Sequence, residues 1–174
     1  METSSAASES SAASASRHIA VRIDRPAEDV YAYAAQPPHW PEWARGLGQS
    51  MERAEGGWVA RSSALGRVRV VFTPRNELGV LDHDVTLPSG EVVHNPVRVI
   101  ADGVGCEVVF TLRRRPGMSD EEFRGDEDAV FADLVALKRV MERSRPQGAV
   151  GPPGCQPTRV NSTVTSGGPP ATPR

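Results

Sequence analysis

Apolar and polar residues alternate over 18–24, with Ile19, Val21 and Ile23 on one side and His18, Arg22 and Asp24 on the other. That period of two predicts a half-buried strand. Asp24, Arg25 and Pro26 stop it. Pro26 suits the first position of a helix, and Glu28 and Asp29 in the next turn are favoured by the helix dipole. Val30, Tyr31, Tyr33 and Ala34 give this short helix an apolar side, and Gln36, Pro37 and Pro38 end it. Residues 39–45 predict a second short helix, closed by Gly46. From there the pattern is β, with candidate strands at 58–65, 67–73, 78–87, 91–101 and 106–114. Pro88-Ser89-Gly90 and Asp102-Gly103 are turn signals between them. Short turns between neighbouring strands predict an antiparallel meander.

The final element is a long helix running to about residue 143. Ser119 and Glu122 form a capping box at its start. Val130, Leu134, Leu137 and Met141 recur at helical spacing, and Phe123, Phe131 and Val135 widen that stripe. Gly125 weakens the first turns by about 1 kcal/mol relative to Ala. A helix this long and this amphipathic needs a sheet to lie against, and the meander supplies one. The predicted class is α+β.

Composition narrows the classes. The chain has 174 residues, enough for one domain, with 20 Lys+Arg against 22 Asp+Glu and a net charge of −2. Such a balance exerts no long-range pull on nucleic acid or on anionic lipid. Stable membrane insertion is not expected, because no apolar run approaches the roughly 20 residues that span a bilayer. Two cysteines, Cys106 and Cys155, exclude a disulfide scaffold and a four-cysteine zinc site. Residues 1–16 are Ser/Ala-rich and lack the basic start and apolar stretch of a secretory signal. Residues 144–174 carry seven of the 15 prolines and five of the 16 glycines. Both ends are predicted to be disordered, because neither offers enough apolar surface to offset ordering. That leaves a single domain over 17–143, with cytoplasmic residence as the default, where cysteines stay reduced.

The stretch IAVRIDRPAEDVYAYAA at 19–35, running into WPEW at 40–43, resembles the opening of the polyketide cyclase/dehydrase-like group of the SRPBCC superfamily. That superfamily includes START-type lipid binders and pollen-allergen-like proteins. The entry GMSDE at 117–121 is similar to that of actinobacterial members. The resemblance covers the whole of 17–143. It implies a helix-grip fold, a curved antiparallel sheet of about six or seven strands wrapped around the C-terminal helix, with two short helices after the first strand. It also implies an apolar cavity between sheet and helix. It brings no shared catalytic motif, because one fold hosts many chemistries.

The polar residues that share parity with the apolar inner face are therefore the candidates. On 78–87 the inner face carries Leu81, His83, Val85 and Leu87; on 91–101 it carries Val93, Asn95, Val97 and Val99. On 106–114 Cys106, Val108, Phe110 and Leu112 are taken as inner. Both parities of 58–65 fit, so Trp58 and Arg61 compete for the inside. Candidate ligand-binding residues are Trp43, Trp58, Phe72, His83, Val85, Asn95, Val97, Phe110, Phe123 and Phe131. His83, with an ordinary pKa of about 6.5 suited to proton transfer, and Asn95 are the candidate catalytic groups. Each has a plainer reading: His83 as a core histidine bonded to a carbonyl, Asn95 beside Pro96 as an edge or bulge. Trp40 reads as core, Arg113-Arg114-Arg115 as a solvated strand end, and Asp126-Glu127-Asp128 as a solvated helix face. The four histidines form no HxH or HxxxH pair, and no dinucleotide, phosphate or nucleophile-elbow motif occurs, so neither metal nor cofactor is expected.

Three functions fit this pattern. The first is binding of a hydrophobic small molecule, such as a lipid, an aromatic metabolite or a polyketide, by a monomer or homodimer. The second is a cofactor-independent cyclase/dehydratase that closes a polyketone chain by aldol chemistry in the same cavity. The third is a non-catalytic interaction or stress module whose cavity is filled. The sparse polar content of the inner face favours binding, since catalysis wants several groups in fixed geometry.

Overall fold

The computed structural model describes residues 15–62 and 65–143. The expectations for the two ends lie outside these residues, except that the first strand already begins at Ser16. The elements are β1 (Ser16–Ile23), α1 (Ala27–Ala34), a 3₁₀ turn (Pro37–His39), α2 (Trp40–Trp43), β2 (Met51–Ala54), β3 (Gly57–Ser62), β4 (Gly66–Phe72), β5 (His83–Thr86), β6 (Val92–Asn95), β7 (Val97–Asp102), β8 (Gly105–Arg113) and α3 (Asp120–Arg143). This is the α+β helix grip, with eight strands among the described residues, close to the six or seven expected. β2 escaped the sequence pattern because its four residues, MERA, neither alternate nor bury a face.

The strands form two antiparallel ladders, β1-β8-β7 and β2-β3-β4-β5-β6. Residues 79–81 link them: Leu81 N–H donates to Val97 O at 2.9 Å and Val99 N–H donates to Gly79 O at 2.8 Å. Gly79 holds a left-handed φ of +68°, and a Cβ there would lie 2.2 Å from Val99 O, so only glycine fits this approach.

Two long strands of the sequence reading are broken at one level. The 78–87 strand is reduced to β5, with an isolated bridge Val80↔Arg98 before it, and Leu78 is exposed. The 91–101 strand divides into β6 and β7 at Pro96. The register runs unchanged across the break, from Val80↔Arg98 to His83↔Asn95. At the break Val97 N–H turns to the Asp82 carboxylate at 2.8 Å, which also pairs with Arg98. Those interactions outweigh desolvation and hold the Asp82 carboxyl below its ordinary range.

α3 lies across the concave side. Its capping box forms as read: Ser119 N–H donates to Glu122 Oε2 at 2.8 Å, and Glu122 N–H donates to Ser119 Oγ at 3.2 Å. Phe123, Leu134, Leu137 and Met141 are buried on Ile19, Val21, Ile23 and Val108. Phe131 is a correction: it is 53% exposed, because it sits about 100° around the helix from Val130, past the edge of the buried stripe. At the far end Lys138 Nζ donates to Arg22 O at 2.8 Å and Asp24 N–H to Glu142 Oε1 at 3.0 Å, pinning α3 to the end of β1. Among the described residues no helix is long and apolar enough to cross a membrane.

The break is testable. Asp82→Ala strands the Val97 N–H and should cost about 2 kcal/mol in urea unfolding, and Arg98→Ala should cost less because the Val97 bond survives.

Candidate functional site

Between the sheet and α3 lies a cavity of about 210 Å³. Leu47, Val85, Leu87, Phe110, Leu112 and Val130 form its apolar wall. β6 and β8 contribute from opposite sides, Val93 and Asn95 from one, Phe110 and Leu112 from the other. Arg113, Arg115, His94 and Asp126 add charge and polarity. A smaller chamber of about 40 Å³ adjoins it, sharing Leu47, His83, Phe110, Val130 and Asp133, and adding Trp40, Trp43, Val97 and Leu134.

His83 lies on the inner face of β5 and is 2% exposed. Its Nδ1 is 3.2 Å from Leu81 O. A carbonyl only accepts, so Nδ1 carries the proton and Nε2 presents a lone pair. That Nε2 is buried and without a partner. Burial pushes the imidazole down to about 4, so it is neutral near pH 7. This corrects the expectation of an ordinary pKa: the ring is a hydrogen-bond acceptor and a weak base. Trp40 meets its face edge-on at 4.8 Å and Phe72 lies at 5.6 Å.

Asp133 was not singled out by the sequence, where it falls between Ala132 and Leu134 on the helix. Its Oδ1 accepts Arg45 N–H at 3.0 Å and its Oδ2 accepts Gly46 N–H at 3.3 Å. It thus ties the segment after α2 to α3 while lining both chambers. Burial pushes its carboxyl up to about 6, against the pull of the two N–H groups. Asp126, read as solvated, lines the cavity too, and burial raises its carboxyl with Arg115 opposing.

Of the sequence candidates, His83, Val85, Asn95 and Phe110 line the larger chamber, and Trp43 and Val97 the smaller. Four lie elsewhere. Trp58 shares the inner parity of Ala60, which decides the open choice against Arg61, but it packs on the satellite cluster of Ala60, Val68, Val70 and Val85. Phe72 packs edge-on against Trp40 at 4.7 Å. Phe123 is buried near the start of α3, with the Arg17 and Arg114 guanidiniums 5.7 and 6.0 Å from its ring centre. Phe131 faces outward. Trp40 is core, as read, its Nε1–H donating to Ala34 O at 2.7 Å. The arginine run divides: Arg113 and Arg115 line the cavity, whereas Arg114 pairs with Asp120 at 2.7 Å and donates to Met118 O. Among the described residues no cluster of His, Cys, Asp and Glu is arranged to hold a metal.

The family model described as "Polyketide cyclase / dehydrase and lipid transport" matches residues 14–145. The chain belongs to this family. It is thereby a member of the SRPBCC superfamily, as the opening strand and helix suggested. A search of curated proteins returns no match. Among solved structures, an uncharacterized protein from Bacillus thuringiensis is similar with a TM-score of 0.61 at 15% identity, over 74% of this chain and 99% of that one. Ara h 8.0201 is similar at 0.56 and 13%, over 75% and 99%. DynU16, from the dynemicin biosynthetic locus, is similar at 0.58 and 11%, over 73% of this chain and 47% of its own. At these identities the likeness is one of fold.

The buried His83 and the half-buried Asp133 push stability in opposite directions with pH. His83 titrates near 6.5 unfolded and about 4 folded. Its contribution is fully present above 6.5 and is lost as pH falls through 4, by about 3 kcal/mol. Asp133 titrates at 3.8 unfolded and about 6 folded, so its contribution is present below 3.8 and lost as pH rises through 6. Wild type relative to His83→Leu should therefore lose about 3 kcal/mol between pH 7 and pH 4, and Asp133→Asn should gain on wild type from pH 4 to pH 7. Urea midpoints across that range read both slopes.

Proposed function

We propose that this protein binds a hydrophobic small molecule in the cavity between the sheet and α3. The observation that carries the reading is the cavity itself: a continuous apolar wall of Leu47, Val85, Leu87, Phe110, Leu112 and Val130, with polar and charged groups placed around it. The family description, which names lipid transport beside cyclases, supports it. The ligand is a lipid fragment, an aromatic metabolite or a polyketide, and the occurrence of DynU16 in a biosynthetic locus favours a natural-product intermediate. Cytoplasmic residence belongs to this reading, with Cys106 free and buried in the core.

A second reading, a cyclase or dehydratase, is favoured by one observation. Asp133 lines the cavity with its carboxyl lifted to about 6, within reach of proton transfer near neutrality. His83, held neutral and weakly basic, would orient a substrate there rather than deprotonate it.

Native mass spectrometry of protein purified from its own host tests the binding reading. The expected result is a co-purified hydrophobic compound near one-to-one stoichiometry. Val130→Trp, at a position that lines both chambers, should obstruct them and weaken uptake at least ~10-fold. A clean unliganded mass, with no uptake from a panel of fatty acids, flavonoids and polyketide mimics, overturns it.

A further inference from the structure

Two buried polar atoms of the inner chamber lack partners, and they are complementary. His83 Nε2 offers a lone pair and Trp43 Nε1–H offers a donor, both without a hydrogen bond. Their residues line the same chamber of about 40 Å³, at one end of the 210 Å³ cavity. An unpartnered buried donor or acceptor is costly, so two in one chamber mark a place where a polar group belongs. The chamber has room for one small group, since a water-sized occupant needs about 10–15 Å³. A hydroxyl both donates and accepts, so a group of this one kind matches the needs of both residues. A carbonyl satisfies only Trp43, and an ammonium only His83.

Asp133 also lines this chamber, its two oxygens held by the Arg45 and Gly46 N–H groups, and the remaining walls are apolar. Val97, Leu134 and Phe110 surround the chamber, and Val85, Leu87 and Leu112 continue into the larger space. The two chambers together stay below the roughly 300–1,000 Å³ of sites for drug-sized ligands. A long acyl chain or a tetracyclic skeleton exceeds that space.

We propose that the ligand is a compact hydroxylated molecule of one or two rings, its hydroxyl seated in the inner chamber, donating to His83 Nε2 and accepting from Trp43 Nε1–H. This deepens the binding reading and rests on it. The role of His83 is recognition: the Leu81 carbonyl holds its Nδ1–H, and that fixes the acceptor on the cavity side of the ring's chemistry.

The test uses the full-length chain and three probes: 2-naphthol, 2-methoxynaphthalene and naphthalene, titrated by calorimetry. The methyl ether keeps the size and removes the donor. 2-Naphthol is expected to bind ~10-fold more tightly than the ether, about 1.4 kcal/mol. His83→Leu and Trp43→Phe should each bring the two probes to within about twofold of each other. Nitrogen-15 NMR of histidine-labelled wild type supplies a readout that does not depend on a variant folding: the His83 Nε2 resonance shifts with 2-naphthol and stays in place with the ether. Equal affinity of 2-naphthol and its ether, or an unmoved Nε2 resonance, overturns the hydroxyl assignment and leaves the cavity reading standing. In that case a buried water satisfies the pair. Failure of all three probes to bind overturns the compact-ring assignment, whereas the binding reading falls only on the clean unliganded mass described above.

Discussion

The site depends on a single defect in a β-ladder, the level at which Asp82 faces Pro96. Pro96 has no N–H to give, and its carbonyl accepts Thr111 N–H at 2.9 Å. Beyond it β6 makes no ladder with β8, so one sheet becomes two ladders, β1-β8-β7 and β2-β3-β4-β5-β6. The cavity lies where they part, with β6 on one side and β8 on the other. The same level sets the chemistry. Val97 N–H is taken by the Asp82 carboxylate, and the Leu81 carbonyl is taken by the His83 ring. A regular ladder would have joined Leu81 and Val97 in both directions; here the Leu81 carbonyl is left to the His83 ring. The defect thus borders the cavity and orients its buried histidine, His83.

Burial then acts on the two ionisable groups in opposite senses. Both lose solvation of their charged forms, so the base becomes weaker and the acid becomes weaker. Near neutrality the imidazole is uncharged, and the carboxyl of Asp133 is mostly ionised but gains a proton more readily than an ordinary carboxylate. Asp133 spends both oxygens on the backbone of Arg45 and Gly46, so its first role is mechanical: it fixes the segment that brings Leu47 to the wall.

Much of this was legible in the sequence because period and capping are local. The alternation of 18–24, the capping box at Ser119 and the stripe Leu134, Leu137 and Met141 each sit within a few residues of one another. The parity argument put His83 inside for the same reason. The ladder defect was half-visible: Pro96 marked it on one strand, whereas nothing local marks Asp82, whose partners are 15 and 16 residues away. Asp133 was hidden by an ordinary helix environment, since its burial comes from a segment 87 and 88 residues distant. Phe131 misled because hydrophobicity alone cannot tell the edge of a stripe from its centre, a matter of about 100° of helix. Trp58 and Phe72 had the right parity and the wrong neighbours, because parity gives a side of the sheet and not a position along it.

The size of the cavity follows from what fills the rest of the grip. Trp40 and Trp43 come from a four-residue helix between two prolines and Ala44, and they enter the concave side together with ring centres 4.8 Å apart. Phe72 closes on Trp40 from β4, and His83 closes on both from β5. This aromatic block occupies the space a larger ligand would need. It also explains why a polar imidazole survives in a core: three of its sides are ring contacts, and the fourth is the chamber it shares with Trp43. Enlarging the cavity would require removing Trp40, whose indole N–H also anchors the end of α1 at Ala34. Ligand size and the seating of α1 are therefore coupled through one side chain, so a relative that accepts a larger molecule has to secure that helix by another route.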